Sequence, residues 1–450
     1  MGLAGVIALL AACGGGASSD RNTPSEAPSR DHQVPENVEQ SQSTMVNRIA
    51  YVTDDGNIAT INPDGSDPRR LTRSELRVGG AGPILAQAAD NQTFYTWPTW
   101  SPDGTRLAAS RVNLREDSAQ LALEIIDASS GVSKRVYENE PSTIQVAQGA
   151  PHYMYWSPDS SYLAFLATTR RHLSLFLAPS LGESASAQIA VGSPIYYSWA
   201  REPGALLIRR QNDLLHLPGP QVGSEMPSPV PLDFAGSGFR VPALSHDGRT
   251  VYYTGSWDGS NALYAAALDD AEVRPRYLAD VGRLAAFMLS PTGEELAVAD
   301  TDQPGSGQYD RLFLIGTGGG APRILADEGL LAFFWSPDGR KLIYVVFDPE
   351  RRSFAWKLAD RDEGPPVVVA EFLPSADLLT ALTFFDQYAL SHSIWSPDSR
   401  HIVFTGELQR HSSGTNGGSP QGPKVYVLEA KEGAVPQEVA SGRIAFWSWN

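Results

Sequence analysis

The sequence predicts an all-β chain assembled from repeated units, and three observations carry that prediction. A short phrase recurs along the 450 residues. Its spacing keeps returning to about 45 residues, the length of four short strands and their turns. The two ends of the chain carry complementary fragments of one unit.

The phrase is an apolar strand, usually a tryptophan, then Ser-Pro-Asp-Gly or a relative. It reads Trp100-Ser101-Pro102-Asp103-Gly104, Trp156-Ser157-Pro158-Asp159-Ser160, Trp335-Ser336-Pro337-Asp338-Gly339 and Trp395-Ser396-Pro397-Asp398-Ser399. Weaker copies start at Trp199, Leu244 and Leu289, and a last one, Trp447-Ser448-Trp449, lies at the C-terminus. From anchor to anchor the steps are 56, 43, 45, 45, 46, 60 and 52 residues. This is the pattern of a β-propeller, one four-stranded blade per repeat. Proline presets φ in a type I turn, serine and aspartate hydrogen-bond the turn backbone, and glycine takes the left-handed position that follows. The turn joins the innermost strand A of a blade to strand B. Ser160 and Ser399 stand where glycine is expected, which predicts strain.

In the third unit strand A is expected over 152–156, B over 162–168, C over 172–177 and D over 187–191. The fifth unit repeats this at 250–254, 261–268 and 273–278, and the sixth at 295–299, 311–315 and 322–325. Many of these runs are continuously apolar, as in blades covered on both faces. Near the start, 48–52, 57–61 and 70–72 read as strands B, C and D without an A; 443–447 reads as an A without the rest. Joined, they complete one blade and remove the exposed edges of an open array. Seven internal blades and one shared blade make eight; seven is the alternative.

These residues resemble the TolB-type propeller repeat, a relative of WD repeats, over Arg48 to Asn450. The family includes envelope proteins that bind partners and propellers attached to prolyl-oligopeptidase-type hydrolases. The sequence departs from both: it lacks the α/β domain that precedes the propeller in the Tol-system protein, which argues against a role in that complex, and it lacks a hydrolase domain.

Leu10-Ala11-Ala12-Cys13 matches a bacterial lipobox after a short apolar run. The expected organisation is a signal peptide over 1–12, a Ser/Pro/Glu-rich disordered tether over 13–46 with Cys13 lipidated, and the propeller over 47–450. The expected location is extracytoplasmic, anchored to the bacterial membrane by lipid. One cysteine allows no internal disulfide. A net charge of −16 without a basic run argues against a nucleic-acid partner.

No nucleophile elbow, phosphate loop or zinc motif is present, and the eight histidines are scattered, so no cofactor, metal or catalytic residue is expected. The turn aspartates are read as structural and the anchor tryptophans as core. Insertions at 73–94, 138–150, 371–389, 113–120, 300–309 and 407–422 all emerge on the face opposite the Ser-Pro-Asp turns. One-sided elaboration marks a binding face. The candidate residues are Phe94, Tyr95 and Trp97 in one insertion and Phe384, Phe385, Asp386, Tyr388 and His392 in another. An equal alternative is that Phe384 and Phe385 plug the channel. His152, Arg240, Arg283, His392 and Arg443 could line the funnel, where three arginines would favour an anion. The function expected is a monomeric, non-catalytic scaffold that binds an envelope protein or peptide. The rivals are a propeller lyase or hydrolase acting on an acidic glycan or peptide, and a small-ligand sensor.

Overall fold

The computed structural model describes residues 47–74, 92–115, 118–139, 151–168, 172–181, 185–201, 204–220, 226–235, 241–257, 260–268, 274–362, 364–409 and 422–450. The lipobox, the tether, most of the insertions 73–94, 138–150 and 407–422, and Arg240 lie outside these residues.

The strands form antiparallel meanders. One sheet joins the chain ends: β1 (Ile49–Val52), β2 (Ile58–Ile61), β3 (Arg69–Arg70) and the final strand β31 (Ile444–Trp447), in the order β3-β2-β1-β31. Five further four-stranded sheets follow in chain order. They are β4 (Gln92–Trp100), β5 (Arg106–Arg115), β6 (Ser118–Asp127) and β7 (Ser133–Glu138); then β8 (Pro151–Trp156), β9 (Tyr162–Thr168), β10 (Leu173–Pro179) and β11 (Ala187–Val191). Next come β12 (Ile195–Trp199), β13 (Leu206–Arg210), β14 (Asp213–Leu217) and β15 (Val230–Ala235), and β16 (Ala243–Leu244), β17 (Thr250–Trp257), β18 (Ser260–Ala267) and β19 (Arg276–Asp280). The fifth is β20 (Leu284–Leu289), β21 (Glu295–Thr301), β22 (Arg311–Gly316) and β23 (Arg323–Ala326). A seven-stranded sheet holds β24 (Ala332–Trp335), β25 (Lys341–Asp348), β26 (Ser353–Asp360), β27 (Val367–Pro374), β28 (His401–Leu408), β29 (Lys424–Glu429) and β30 (Gln437–Ser441). It is continuous because the end of β27 pairs with the end of β28, Phe372 opposite Leu408.

The expected closure is observed. Ile49 pairs with Trp447, Ala50 with Phe446, Tyr51 with Ala445 and Val52 with Ile444. Every residue of β1 and β31 is buried. Burial falls outwards in each meander: β9 is almost wholly buried, whereas the outermost β3 and β30 are half-buried or exposed. Charges such as Arg69, Arg70 and Glu438 guard these outer edges, as open strand edges require.

The turns form as their residues dictate. Ser101 Oγ donates to Asp103 Oδ1 at 2.6 Å, and Gly104, at φ 68°, donates its N–H to Ser101 O at 2.9 Å. The same serine–aspartate bond recurs at Ser157, Ser336 and Ser396, each at 2.6 Å. Burial alone would raise the Asp103 pKa, but hydrogen bonds from Ser101 and Thr105 and the charge of Arg106 hold it below the ordinary value. Ser160 and Ser399 adopt the glycine-like φ of 60° and 61°. Each offsets that strain across a seam between units: Ser160 Oγ accepts from Asp103 N at 3.1 Å, and Ser399 Oγ from Asp338 N at 3.0 Å.

The anchor tryptophans stitch neighbouring units together. Trp156 Nε1 donates to Thr99 O at 3.0 Å, Trp199 to Tyr155 O at 3.2 Å, Trp335 to Met288 O at 3.3 Å and Trp395 to Phe334 O at 3.3 Å. Each acceptor lies one residue before the anchor of the preceding unit. The indole thus fills the core and satisfies its own donor.

Candidate functional site

The insertion 371–389 is not an open recognition loop. After β27 it folds into two short helices, α1 (Ala376–Thr383) and α2 (Phe385–Ser391). Ser375 caps α1, its Oγ accepting from Leu378 N at 3.1 Å, and Asp377 occupies the first turn, where the helix dipole favours an acid. Leu378, Ala381, Leu382 and Phe385 are buried on one stripe. Ser375-Ala376-Asp377 followed by that spacing was the available signal for these helices.

This placement corrects the rim reading for most of its residues. Phe385 is 1 % exposed and packs on Phe333 at 4.9 Å and edge-on to Tyr309 at 5.8 Å. Asp386, His392 and Arg443 are buried, as are Phe94 and Tyr95 on β4. Tyr388 is stacked on Trp97, with ring centroids 4.5 Å apart. Phe384 alone of the aromatic pair remains exposed, at 43 %. An apolar aromatic pair at the end of a channel gains more from filling it than from facing water. Of the expected plug, Phe384 and Phe385, only Phe385 is buried there; half-buried Tyr388 takes the second place, stacked on Trp97. Arg443 is engaged with Asp377 at 3.4 Å rather than facing a ligand. Arg283 is exposed, but its backbone N–H binds Asp302 Oδ1 at 3.2 Å in a turn outside the cavity lining. The side chain of His152 and all of Arg240 lie outside the described residues.

Two bulges hold the plug. Trp97 and Tyr153 stand three residues before the anchors Trp100 and Trp156, with φ of 56° and 49°. The pairing register breaks at both places. Such a backbone is uncommon for a bulky residue. Here it turns both rings onto Tyr388, Tyr153 meeting it edge-on at 5.8 Å.

His392 closes α2. Its Nδ1 lies 2.7 Å from Ser391 Oγ and its Nε2 2.9 Å from Thr99 Oγ1, with Phe446 edge-on at 4.4 Å. Burial pushes its pKa down to about 3. The folded state therefore holds the imidazole neutral. That stabilisation is complete above about pH 6.5 and is lost as the pH falls towards about 3. Between pH 7 and pH 5 it should remove about 2 kcal/mol from the unfolding free energy. Denaturant titrations of the wild type and His392→Gln at the two pH values check this. Equal losses in both proteins would show that His392 does not titrate in that way.

On the opposite face, where the Ser-Pro-Asp turns lie, the axis opens into a cavity of about 530 Å³. Its walls are the anchors Trp100, Trp156, Trp199, Trp335 and Trp395, with Tyr155, Phe287 and Phe334; Ala389 to Ile394 contribute the end of α2 and the segment after it. The residue two places after each anchor also lines it. Five of these are the turn prolines Pro102, Pro158, Pro291, Pro337 and Pro397. The other three are Arg201, His246 and Trp449. Sequence reading passed over these three. The signal was present: they are the positions at which three of the four weaker repeats, those at Trp199, Leu244 and Trp447, lack the proline. Among the described residues no group of His, Cys, Asp and Glu side chains is arranged to hold a metal.

No family model matches the chain, and no curated protein matches it. Solved structures do. TolB from Acinetobacter baumannii is 14% identical, with a TM-score of 0.38, over 89% of this chain and 81% of that one. An oligogalacturonate lyase from Vibrio parahaemolyticus is 12% identical, with a TM-score of 0.44, over 71% and 84%. The β-propeller domain of the Trilobed protease from Pyrococcus furiosus is 11% identical, with a TM-score of 0.47, over 77% and 98%. A likeness of this degree says nothing of activity.

Proposed function

We propose that this chain is a non-catalytic propeller that binds a protein or peptide at the open mouth of its axial cavity. The observation that carries this reading is the asymmetry of the channel. One end is filled by α2, and the other opens through a ring of proline, tryptophan, arginine and histidine side chains above walls of tryptophan. Aromatic rings and arginine with little competing charge are what recognition cores are made of. The polar groups at the end of α2 that face the cavity are already engaged, Ser391 with His392 and His392 with Thr99, which favours binding over acid–base chemistry. The ring is read as eight blades: the seven-stranded sheet is two blades fused at β27 and β28, and the innermost strand of the second is reduced to the pairing of Trp395 with Ile402. The chain is read as a monomer, carried outside the cytoplasm on a lipid at Cys13.

In-cell photo-crosslinking tests this. A photoreactive residue at Pro337, on the mouth, should yield a discrete adduct in the membrane fraction. The same residue at exposed Phe384 should not. Cys13→Ser should move the adduct to the soluble fraction. Adducts from Phe384 alone would return the binding face to the elaborated rim, and adducts that stay soluble in the wild type would remove the lipid anchor.

A further inference from the structure

The ring around the mouth is not uniform, and its departures fall into two poles. Arg201 and His246 belong to successive turns, after Trp199 and Leu244. Trp449 is four anchors away from His246 in either direction, because β31 pairs with β1 and closes the ring. A cationic, hydrogen-bonding sector thus faces an indole across the opening.

The wall beneath the polar sector is also different. Leu244 and Leu289 are the two anchors that are not tryptophan among those lining the cavity, and β16, which ends at Leu244, is only two residues long. Val241, Pro242 and Ala243 complete that wall. Leucines thus stand beneath His246 and the turn that follows it, where the other lining anchors carry indoles; Arg201, above Trp199, borders that stretch. The imidazole is seated by the next turn: a Cβ on Gly293 would come within 3.1 Å of His246 Nδ1, and Gly293 has φ 78°. Burial lowers the His246 pKa, and the charge of Arg201 lowers it further, so the two groups lie within electrostatic reach of each other. The ring therefore offers an N–H while the guanidinium offers charge. The neighbouring carboxylate of Asp247 is turned into its own turn, accepting from Ser245 Oγ at 2.5 Å and Arg249 N at 3.1 Å.

Resting on the reading of the mouth as a peptide site, we propose that it selects a segment in which a carboxylate lies beside an apolar or aromatic side chain. The carboxylate is held by Arg201 and His246, and the apolar group enters the gap in the tryptophan wall at Leu244 and Leu289. Trp449 supports the rest of the segment across the opening. Guanidinium and imidazole N–H groups suit a carboxylate acceptor. The described residues lining the mouth include Arg201 and His246 but no Asp or Glu side chain, so on a chain with a net charge of −16 this sector orients an acidic segment towards the opening.

Selection of random heptapeptides, some with free C-termini, on the full chain tests the proposal. Enriched sequences should carry Asp, Glu or a terminal carboxylate next to an aromatic or aliphatic residue. In the best synthetic peptide, replacing that acid by its amide should weaken binding about tenfold or more, the scale of a hydrogen bond to a charged group. Arg201→Gln with His246→Gln should cost as much and abolish the difference between acid and amide. The peptide substitution needs no change to the protein, so it stands even if the double variant folds poorly. Bound peptides with no acid preference would overturn the carboxylate site and leave the peptide reading intact. Selection of no peptide at all would overturn both. Phenylpropanoate alone binding as tightly as the peptide would make the ligand a free acid, and displacement of the peptide by a lower concentration of tri-galacturonate would make it an acidic glycan. Either result rejects the proposal.

Discussion

A chain ending at Gly442 is expected to fail to fold. Residues 443–450 supply β31, the innermost strand of the sheet that joins the chain ends. Trp447 is 1 % exposed, and Phe446 packs on His392 and Trp97. Ser448 and Arg48 hold each other through two further bonds, Ser448 N to Arg48 O at 2.8 Å and Arg48 N to Ser448 Oγ at 3.0 Å. Losing one buried aromatic costs about 3–5 kcal/mol, and the deletion removes two and bares the edge of β1. Domains have about 5–15 kcal/mol in total. Circular dichroism and size-exclusion chromatography should show aggregated or poorly structured protein. The control is a permutant carrying 443–450 ahead of Asn47 through a short glycine turn. Asn47 N already donates to Asn450 O, so the ends meet and the fold should return. A truncated chain that melts like the full-length one would mean that the shared sheet does not hold the ring.

Phe385→Ala should destabilise the protein by about 3–5 kcal/mol, read as a shift in denaturant midpoint. The side chain fills the end of the channel against Phe333, Phe334 and Tyr309, and the surrounding strands are too well paired to collapse into the space. Phe384→Ala, one residue earlier and exposed, should change stability by no more than about 0.5 kcal/mol. Equal shifts in the two variants would overturn the assignment of Phe385 to the plug. Crosslinking from Pro337 should persist per folded molecule of Phe385→Ala, because the mouth is built by other residues.

The strands were the most legible part. Residues 162–168 and 187–191 form β9 and β11 over the expected spans, and the closure of 48–52 on 443–447 forms as read. Short apolar runs bounded by Ser-Pro-Asp turns leave few alternatives, because turn chemistry and burial on both faces point the same way. The structural role of Asp103 was legible for the same reason: its partners, Ser101 and Thr105, are local in sequence.

The two helices were missed because a stripe of four apolar residues inside a propeller reads as another loop. Only contacts distant in sequence show where that stripe is buried: Phe385 meets Phe333, and Tyr388 meets Trp97 and Tyr153. The same contacts reversed the face on which binding is sought. Loop length alone marked the rim, but exposure depends on what lies across the axis, and the aromatic residues of those loops had somewhere to go. The mouth residues were visible in the sequence only as blemishes in a repeat. By itself, then, the sequence determined the strands, their turns and the closure of the ring, since those depend on local chemistry and periodicity. Which end of the channel is filled, and that Arg201, His246 and Trp449 meet around one opening, was decided by the tertiary structure. Those relations join residues up to several repeats apart, and no local pattern carries them.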